Sequence, residues 1–517
     1  MIGNYEQKEY GDYQTPPEFA EKVCGYIHDT IKVQPTMIIE PTCGVGNFLK
    51  GSNTVFPDTS LIGIDINDEY ISSLKSTFDG ESISLYTADF FQFDFSKLIR
   101  EHDSKEILIV GNPPWVTNSA LSVLNSDNAP LKSNFKGHKG LDAITGSANF
   151  DICEYMLLSL IERFRNTNST IAMLCKTSVA RNVFCELVRT GVGFDCAKLL
   201  LFDAKAVFDV SVDSGLFVFR LNDKAIETAA CSVYDFENPM IEKYKFGFKN
   251  NVFYSKIDDS SPDYNGKSCY IWRQGIKHDC SKIMELSKNG NGFVNGNKDS
   301  VDIEDVYVFP LIKSSAVKNC LIESSKKYVI VTQQKIGADT SAISKIAPKT
   351  WTYLQAHKAL FDGRKSSIYN NAPAFAMFGV GDYSFGKYKV GISGFYKNPR
   401  FALLTSEKAV MMDDTCYFIN LNTYDDAYAI MLLLNSPKVQ QFIKSISFVD
   451  SKRPYTKKVL ERIDFGKAFE HVTLSELQET EQNLGLSSYI TSEIFLQTKM
   501  NTAKLYDTKN AQMELAI

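Results

Sequence analysis

The sequence lacks any apolar run long enough to cross a membrane, and its opening residues, MIGNYEQKEY, lack the basic stretch and apolar core of a targeting segment. These absences lead to the expectation of a cytoplasmic protein with no membrane partner. Eleven cysteines are scattered without one Cys-x-x-Cys pair, and histidines number only six, so neither a disulfide framework nor a metal site is expected. A basic excess is missing as well. The net charge is −5, which as an average speaks against nucleic acid. The average conceals a split, however: residues 1–225 hold 29 acidic and 20 basic side chains, whereas residues 266–470 hold 29 basic and 19 acidic. Such a division suits an acidic catalytic half joined to a basic half that meets phosphates. What remains is ordinary globular material, 44% hydrophobic and 23% charged over 517 residues, too long for one core and expected to form two or three domains.

The most informative stretch is Ile107-Leu108-Ile109-Val110-Gly111-Asn112-Pro113-Pro114-Trp115. Four consecutive apolar residues predict a parallel strand covered on both faces. Two prolines then remove backbone donors and fix φ, so the carbonyls of Asn112 and Pro113 are not drawn into a ladder or helix. A rigid turn at a strand's carboxyl end, carrying one amide, free carbonyls and an aromatic, suits a planar base bearing an amino group.

Upstream, Met37–Glu40 predicts another buried strand, leading through Pro41-Thr42-Cys43-Gly44-Val45-Gly46 into a helix. This is where a ligand approaches backbone closely at the first strand-to-helix turn. A lone Gly-x-Gly is a weak signal. It gains weight from Leu61–Ile66, a second strand carrying Asp65 about 20 residues on, where a carboxylate can take ribose hydroxyls. Position 49 is leucine, so the third glycine of a nicotinamide-dinucleotide fingerprint is absent. Thr87-Ala88-Asp89-Phe90-Phe91 adds a third acid at a strand end. Before all of these, Thr15-Pro16-Pro17-Glu18 reads as a capped helix start, with Thr15 as the cap and Pro16 first in the helix. Asn149-Phe150-Asp151-Ile152 opens an amphipathic helix running through Phe164, and Ala206–Val212 precedes a further strand.

Asn-Pro-Pro-aromatic at a strand end resembles the catalytic motif of the S-adenosylmethionine-dependent amino-methyltransferases. With asparagine first, the chain is similar to the N6-adenine DNA methyltransferases of restriction–modification systems. The order of segments resembles their gamma class. The resemblance implies an α/β fold, the methyltransferase (Rossmann-like) variant of the doubly wound sheet, followed by a mixed α+β target-recognition domain. The implied domains are a catalytic one over 1–225, a linker or peripheral excursion over 226–265, a DNA-binding recognition domain over 266–470 and a helical tail over 471–517. It further implies that Asn112, Pro113, Pro114 and Trp115 carry the chemistry, with Trp115 and Phe208 stacking on opposite faces of a flipped adenine. S-adenosyl-L-methionine is the implied cofactor, held by Thr15, Pro16, Glu40, Thr42, Cys43, Gly44, Gly46, Asp65, Asp89, Phe90 and Phe150. Double-stranded DNA is the implied partner of a monomer in the bacterial cytoplasm, on the nucleoid, with any cognate restriction endonuclease a separate chain.

The polar stretch 116–148 reads as a flap near DNA through Lys132, Lys136 and Lys139. In the second half, Arg364, Lys365 and Lys389 interleave with aromatics, and Lys452 and Arg453 sit in a basic Pro segment. Basic side chains among aromatics suit phosphate contacts and base reading. Enzymes that methylate RNA bases or a protein glutamine amide share the Asn-Pro-Pro turn, and a catalytically silent DNA-binding protein would share the fold. The basic second half favours DNA over the former; intact Asn112, Asp65 and Asp89 speak against the latter.

Overall fold

A computed structural model describes residues 13–78, 83–101, 106–116, 151–222, 229–257, 263–290, 292–448 and 451–514. They form two units that divide after Ile257. In the first, strands β1 (Met37–Glu40), β2 (Ser60–Asp65), β3 (Ile83–Thr87), β4 (Ile107–Gly111), β5 (Ser169–Lys176), β6 (Phe194–Phe202), β7 (Ser214–Leu221), β8 (Ala230–Asp235), β9 (Asn238–Lys249) and β10 (Val252–Ile257) make one sheet. Its order is β10-β9-β8-β6-β7-β5-β4-β1-β2-β3. Strands β1 to β5 pair in parallel, and β7 runs antiparallel to both of its neighbours. This is the doubly wound arrangement expected from the sequence. Strands β1 and β4 are buried throughout, as unbroken apolar runs require when both sheet faces are covered.

Helices of this unit include α1 (Pro17–Tyr26), α2 (Asn47–Val55), α3 (Asp68–Thr77), α4 (Ile152–Phe164), α5 (Thr177–Thr190) and the short α6 (Ala204–Phe208). Helix α1 departs from expectation at its start. Pro16 is the capping residue, with φ −56° and ψ 139°, and no side chain caps the helix. The cause is Pro17, whose ring disfavours helical ψ at the residue before it. The Thr15 hydroxyl is therefore not spent on the helix, and it lies buried with no hydrogen-bond partner.

Residues 226–265 differ more. Read as a linker or a peripheral excursion, they hold β8, β9 and β10, which extend the sheet at its edge beyond β6. Tyr244, Phe246 and Phe248 alternate with Lys243, Lys245 and Lys249, a period-two pattern matching one covered and one solvated face. The first half of β9, Asn-Pro-Met-Ile-Glu-Lys, is largely exposed and carries no such alternation.

The second unit holds two sheets. One has six strands, including Val308–Ile312 and Lys327–Ile330; the other has five, with Tyr388–Ser393 at its centre between Phe401–Leu404 and Cys416–Leu421. The segment read as a tail is integral to this unit. Glu481, on the helix Leu474–Asn483, is 2% exposed and accepts hydrogen bonds from the Tyr428 hydroxyl at 2.8 Å and the Tyr489 and Ile490 amides at 2.8 and 3.0 Å.

Two basic residues expected to meet DNA are instead consumed by this unit. Lys389 on the central strand is 1% exposed; its ammonium donates to the Gly386 carbonyl at 2.6 Å and faces the Phe418 ring. Arg364 donates to the carbonyls of Phe361, His278 and Ala376 at 3.0, 3.1 and 2.7 Å, and stacks 3.6 Å from the Tyr369 ring centroid. Neither can reach a phosphate without leaving its packing.

Burial holds the Lys389 pKa down to about 7. Below about 7 the folded chain must bury a charged ammonium. That penalty is fully present there and fades as pH rises toward the ordinary lysine value of about 10.4. Lys389→Met is expected to stabilise the protein by on the order of 1 kcal/mol at neutral pH. The gain should shrink in alkaline buffer, and DNA affinity should not change. Thermal unfolding across pH and a DNA titration check this, and a variant that unfolds earlier at every pH would refute it.

Candidate active site

Strands β1 and β4 are neighbours inside the sheet, and the chain leaves them toward opposite edges. A crevice at such a switch point, outside the carboxyl ends of the strands, is where open α/β sheets bind ligands. The loop after β1 and the Asn112–Trp115 turn after β4 both lie at that end.

Three acidic side chains shape the crevice. Glu40, 3% exposed, accepts the Leu49 amide at 3.1 Å, tying the end of β1 to the first turn of α2. Burial pushes the Glu40 carboxyl well above the usual carboxylate range, with the Asp65 charge adding to the effect and the Leu49 amide opposing it. Asp65 accepts the Gly44 amide and the Asn67 amide, each at 2.8 Å. Asp89 accepts the Phe91 amide and the Gln92 side-chain nitrogen, each at 2.9 Å. Gly44 and Gly46 have φ of +49° and +73°, and a Cβ on Gly44 would fall 2.7 Å from the Gln14 side chain. A left-handed backbone packed this closely against Gln14 favours glycine. Burial pushes the Cys43 thiol up, so it offers no thiolate nucleophile.

A strap formed by residues 13–15 lies against both loops. Gln14 accepts the Val45 amide at 3.2 Å, the Thr15 carbonyl accepts the Asn47 side chain at 2.8 Å, and the Tyr13 carbonyl accepts Asn112 Nδ2 at 2.8 Å. The last bond commits the donor end of the Asn112 amide. Its other end, Oδ1, is buried with no hydrogen-bond partner, as are the hydroxyls of Thr15 and Thr42. Buried polar oxygens without partners are rare and call for an explanation. Three of them on the segments that meet here suit a ligand that donates hydrogen bonds.

Trp115 is 6% exposed, with its indole nitrogen donating to the Leu174 carbonyl at 3.3 Å. Its ring meets Phe208 edge-on, centroids 5.4 Å apart and planes 73° apart. Tyr13 lies 6.3 Å from Trp115 and 6.5 Å from Phe208. The two expected stacking rings therefore touch each other and do not face across a gap the width of a base. Phe208 ends α6, which Asp203 caps and Asp209 closes in a left-handed conformation, φ +56°. Phe90 is 5% exposed and packs beside Phe95, with the Arg163 guanidinium 5.3 Å from its ring. Pro16 adjoins the strap, while Phe150, Lys132, Lys136 and Lys139 lie outside the described residues.

Two residues here carried no signal in the sequence. Tyr13 is a single aromatic before Gln-Thr-Pro-Pro. Arg163 donates to the Phe90 and Phe91 carbonyls at 3.0 and 2.8 Å, gripping the turn that holds Asp89. Of the basic residues expected at DNA, Lys365 and Lys452 are exposed, whereas Arg453 is partly buried, donates to the Asp414 carbonyl at 3.4 Å and covers Phe395.

No family model matches the chain. It is 41% identical over 476 residues to the type II methyltransferase M.NspV of Nostoc sp., covering 90% of this chain and 98% of that one. Over 183 residues it is 27% identical to the type II methyltransferase M.CvrRI of Paramecium bursaria Chlorella virus XZ-6E, covering 35% of this chain and 40% of that protein. Among solved structures, the type IIL restriction–modification enzyme MmeI in complex with DNA superposes with a TM-score of 0.51 at 11% identity. The match covers 97% of this chain and 80% of MmeI, a likeness of fold.

Asp65→Ala is expected to weaken S-adenosylmethionine binding by about 10-fold or more, because it removes the carboxylate that holds the Gly44 amide and with it the shape of the glycine loop. Calorimetry showing unchanged affinity in a folded variant would refute that placement.

Proposed function

The chain belongs to the type II methyltransferases, and on that premise we propose that it methylates the N6 amino group of an adenine in duplex DNA, at the Asn112–Trp115 turn, as a gamma-class enzyme. The observation that carries this reading is the Asn112 amide: its nitrogen is committed to Tyr13 and its oxygen is buried without a partner. An acceptor presented in this way suits a ligand amino group.

S-adenosylmethionine is the methyl donor, and when bound it supplies an electrophilic methyl on a sulfonium. Glu40, Asp65 and Asp89 and the hydroxyls of Thr15 and Thr42 are the groups of this chain that would hold it. The exocyclic nitrogen of adenine is a weak nucleophile because its lone pair is delocalised into the ring. Asn112 Oδ1 and the Pro113 carbonyl accept its two hydrogens, localising the lone pair on nitrogen. The contribution of the chain is positioning and preorganised dipoles. The amino group is hidden within a base pair, so the adenine is rotated out of the duplex at a cost of a few kcal/mol. Stacking on Trp115 returns about 1 to 3 kcal/mol. Phe208 and Tyr13 must turn from their edge contacts to admit the base.

The first unit is thus the catalytic part. The second, where the basic excess of residues 266–470 lies, is the target-recognition part, with Lys365 and Lys452 as exposed candidates for phosphate contacts. A separate endonuclease is the expected partner in a restriction–modification pair.

Asn112→Ala should lower methyl transfer to duplex DNA by on the order of 100-fold or more while cofactor affinity stays near that of the wild type. Transfer of labelled methyl groups to DNA, RNA and protein substrates side by side tests the substrate class, and preference for RNA or protein would end the DNA reading.

DNA affinity is expected to fall steeply with salt, with a log–log slope of about −0.9 per neutralised phosphate. Replacing Lys365 and Lys452 by Ala should shallow that slope and weaken all sequences alike. Affinity indifferent to salt would exclude the assignment of the basic excess to phosphate contact.

A further inference from the structure

The chain leaves the Asn112–Trp115 turn beside the end of β5. Two groups of that strand hold Trp115: the Leu174 carbonyl takes its indole N–H at 3.3 Å, and the Lys176 ammonium donates to its main-chain carbonyl at 3.2 Å. The same ammonium lies 2.6 Å from Asp151 Oδ2. Asp151 is 7% exposed, and its other oxygen caps α4 by accepting the Cys153 amide at 3.1 Å. One residue further on, the Val116 carbonyl accepts the Ile152 amide at 2.9 Å. The exit of the turn and the entry to α4, 35 residues apart in sequence, are thereby pinned together, with a cation at the junction.

A largely buried ion pair adds little net stability, because desolvation offsets its attraction. Helix capping alone needs only Asp151, and Lys176 is not required for it. What Lys176 adds is geometric: it joins the Trp115 backbone to a side chain that is itself fixed at a helix terminus.

We propose that Lys176 is a positioning residue for methyl transfer: its ammonium, anchored by Asp151, fixes the Trp115 carbonyl and with it the orientation of the turn that presents Asn112 and the indole ring. This rests on the reading of that turn given above. Lys176 touches neither of the groups that accept the amino hydrogens, so it acts through Trp115.

The full-length protein, labelled with fluorotryptophan, provides the test. It contains three tryptophans, and Trp115→Phe identifies the fluorine resonance of interest. Lys176→Met is expected to move that resonance and to lower the single-turnover rate of methylation of unmethylated genomic duplex DNA by on the order of 10- to 100-fold. S-adenosylmethionine affinity should be unchanged. Lys176→Arg, which can donate to both partners, should restore most of the rate. If Lys176→Met does not fold, Asp151→Asn, which keeps an acceptor for the helix cap but loses the charge, is read in the same way and should give a smaller loss. A folded Lys176→Met or Asp151→Asn variant with wild-type rate and an unmoved Trp115 resonance overturns the proposal, as does a loss that Lys176→Arg fails to relieve. Asn112→Ala is run in parallel. If it is inactive while Lys176→Met matches the wild type, only the positioning role falls; if it is fully active, the reading of the turn falls and the positioning role with it.

Discussion

The hydrogen bond from Asn112 Nδ2 to the Tyr13 carbonyl decides which end of the Asn112 amide is available. Reversing the amide would set oxygen against oxygen and forfeit a bond whose net value is about 0.5 to 1.5 kcal/mol. The acceptor is thus fixed before any ligand arrives. The same three-residue strap receives the Val45 amide and the Asn47 side chain from the glycine loop. The loop at the end of β1 and the turn at the end of β4 therefore share one support. Displacing the strap would disturb both.

The carboxylates at the ends of β1, β2 and β3 organise backbone. Glu40 holds the first turn of α2, Asp65 holds Gly44, and Asp89 holds its own turn. The loop geometry is thereby established before any ligand binds. Such preorganisation is inexpensive at the moment of binding, because no donor has to be reoriented. The Trp115 ring is treated likewise, fixed through its indole nitrogen by β5. Phe208 stands on a five-residue helix with a left-handed residue directly behind it. The aromatic cluster thus has one ring held by a sheet and another on a short support.

In the second unit, the charge excess and the charged surface are different quantities. Lys389 and Arg364 count toward the basic total, yet one lies in the middle of a sheet and the other has its guanidinium against three carbonyls and a ring. A basic residue among aromatics can be a phosphate contact or a snorkelling core residue, and composition does not separate the two.

The sequence by itself determined what depends on adjacent residues. Ile107–Val110 had to be covered on both faces because the run has no polar alternation. Asn112-Pro113-Pro114 had to break the strand because proline has no donor and a fixed φ. Gly44 and Gly46, followed about 20 residues on by Asp65, suggested a close backbone approach. Those local constraints indicated covered strands ending in tight turns; the doubly wound sheet itself was what the resemblance of the motifs implied. Tertiary structure decided what depends on partners distant in the chain. Tyr13 meets Asn112 across 99 positions, and Lys176 meets Trp115 across 61; single residues with no periodicity cannot announce such pairings. Whether Thr15 capped a helix was settled by the steric demand of Pro17, and between linker and peripheral excursion for 226–265 the edge of β6 made the difference, since β8 pairs there. The burial of Lys389 was fixed only when strands on both sides closed over it, since the exposure of a side chain belongs to its neighbours in space and not to its neighbours in the chain.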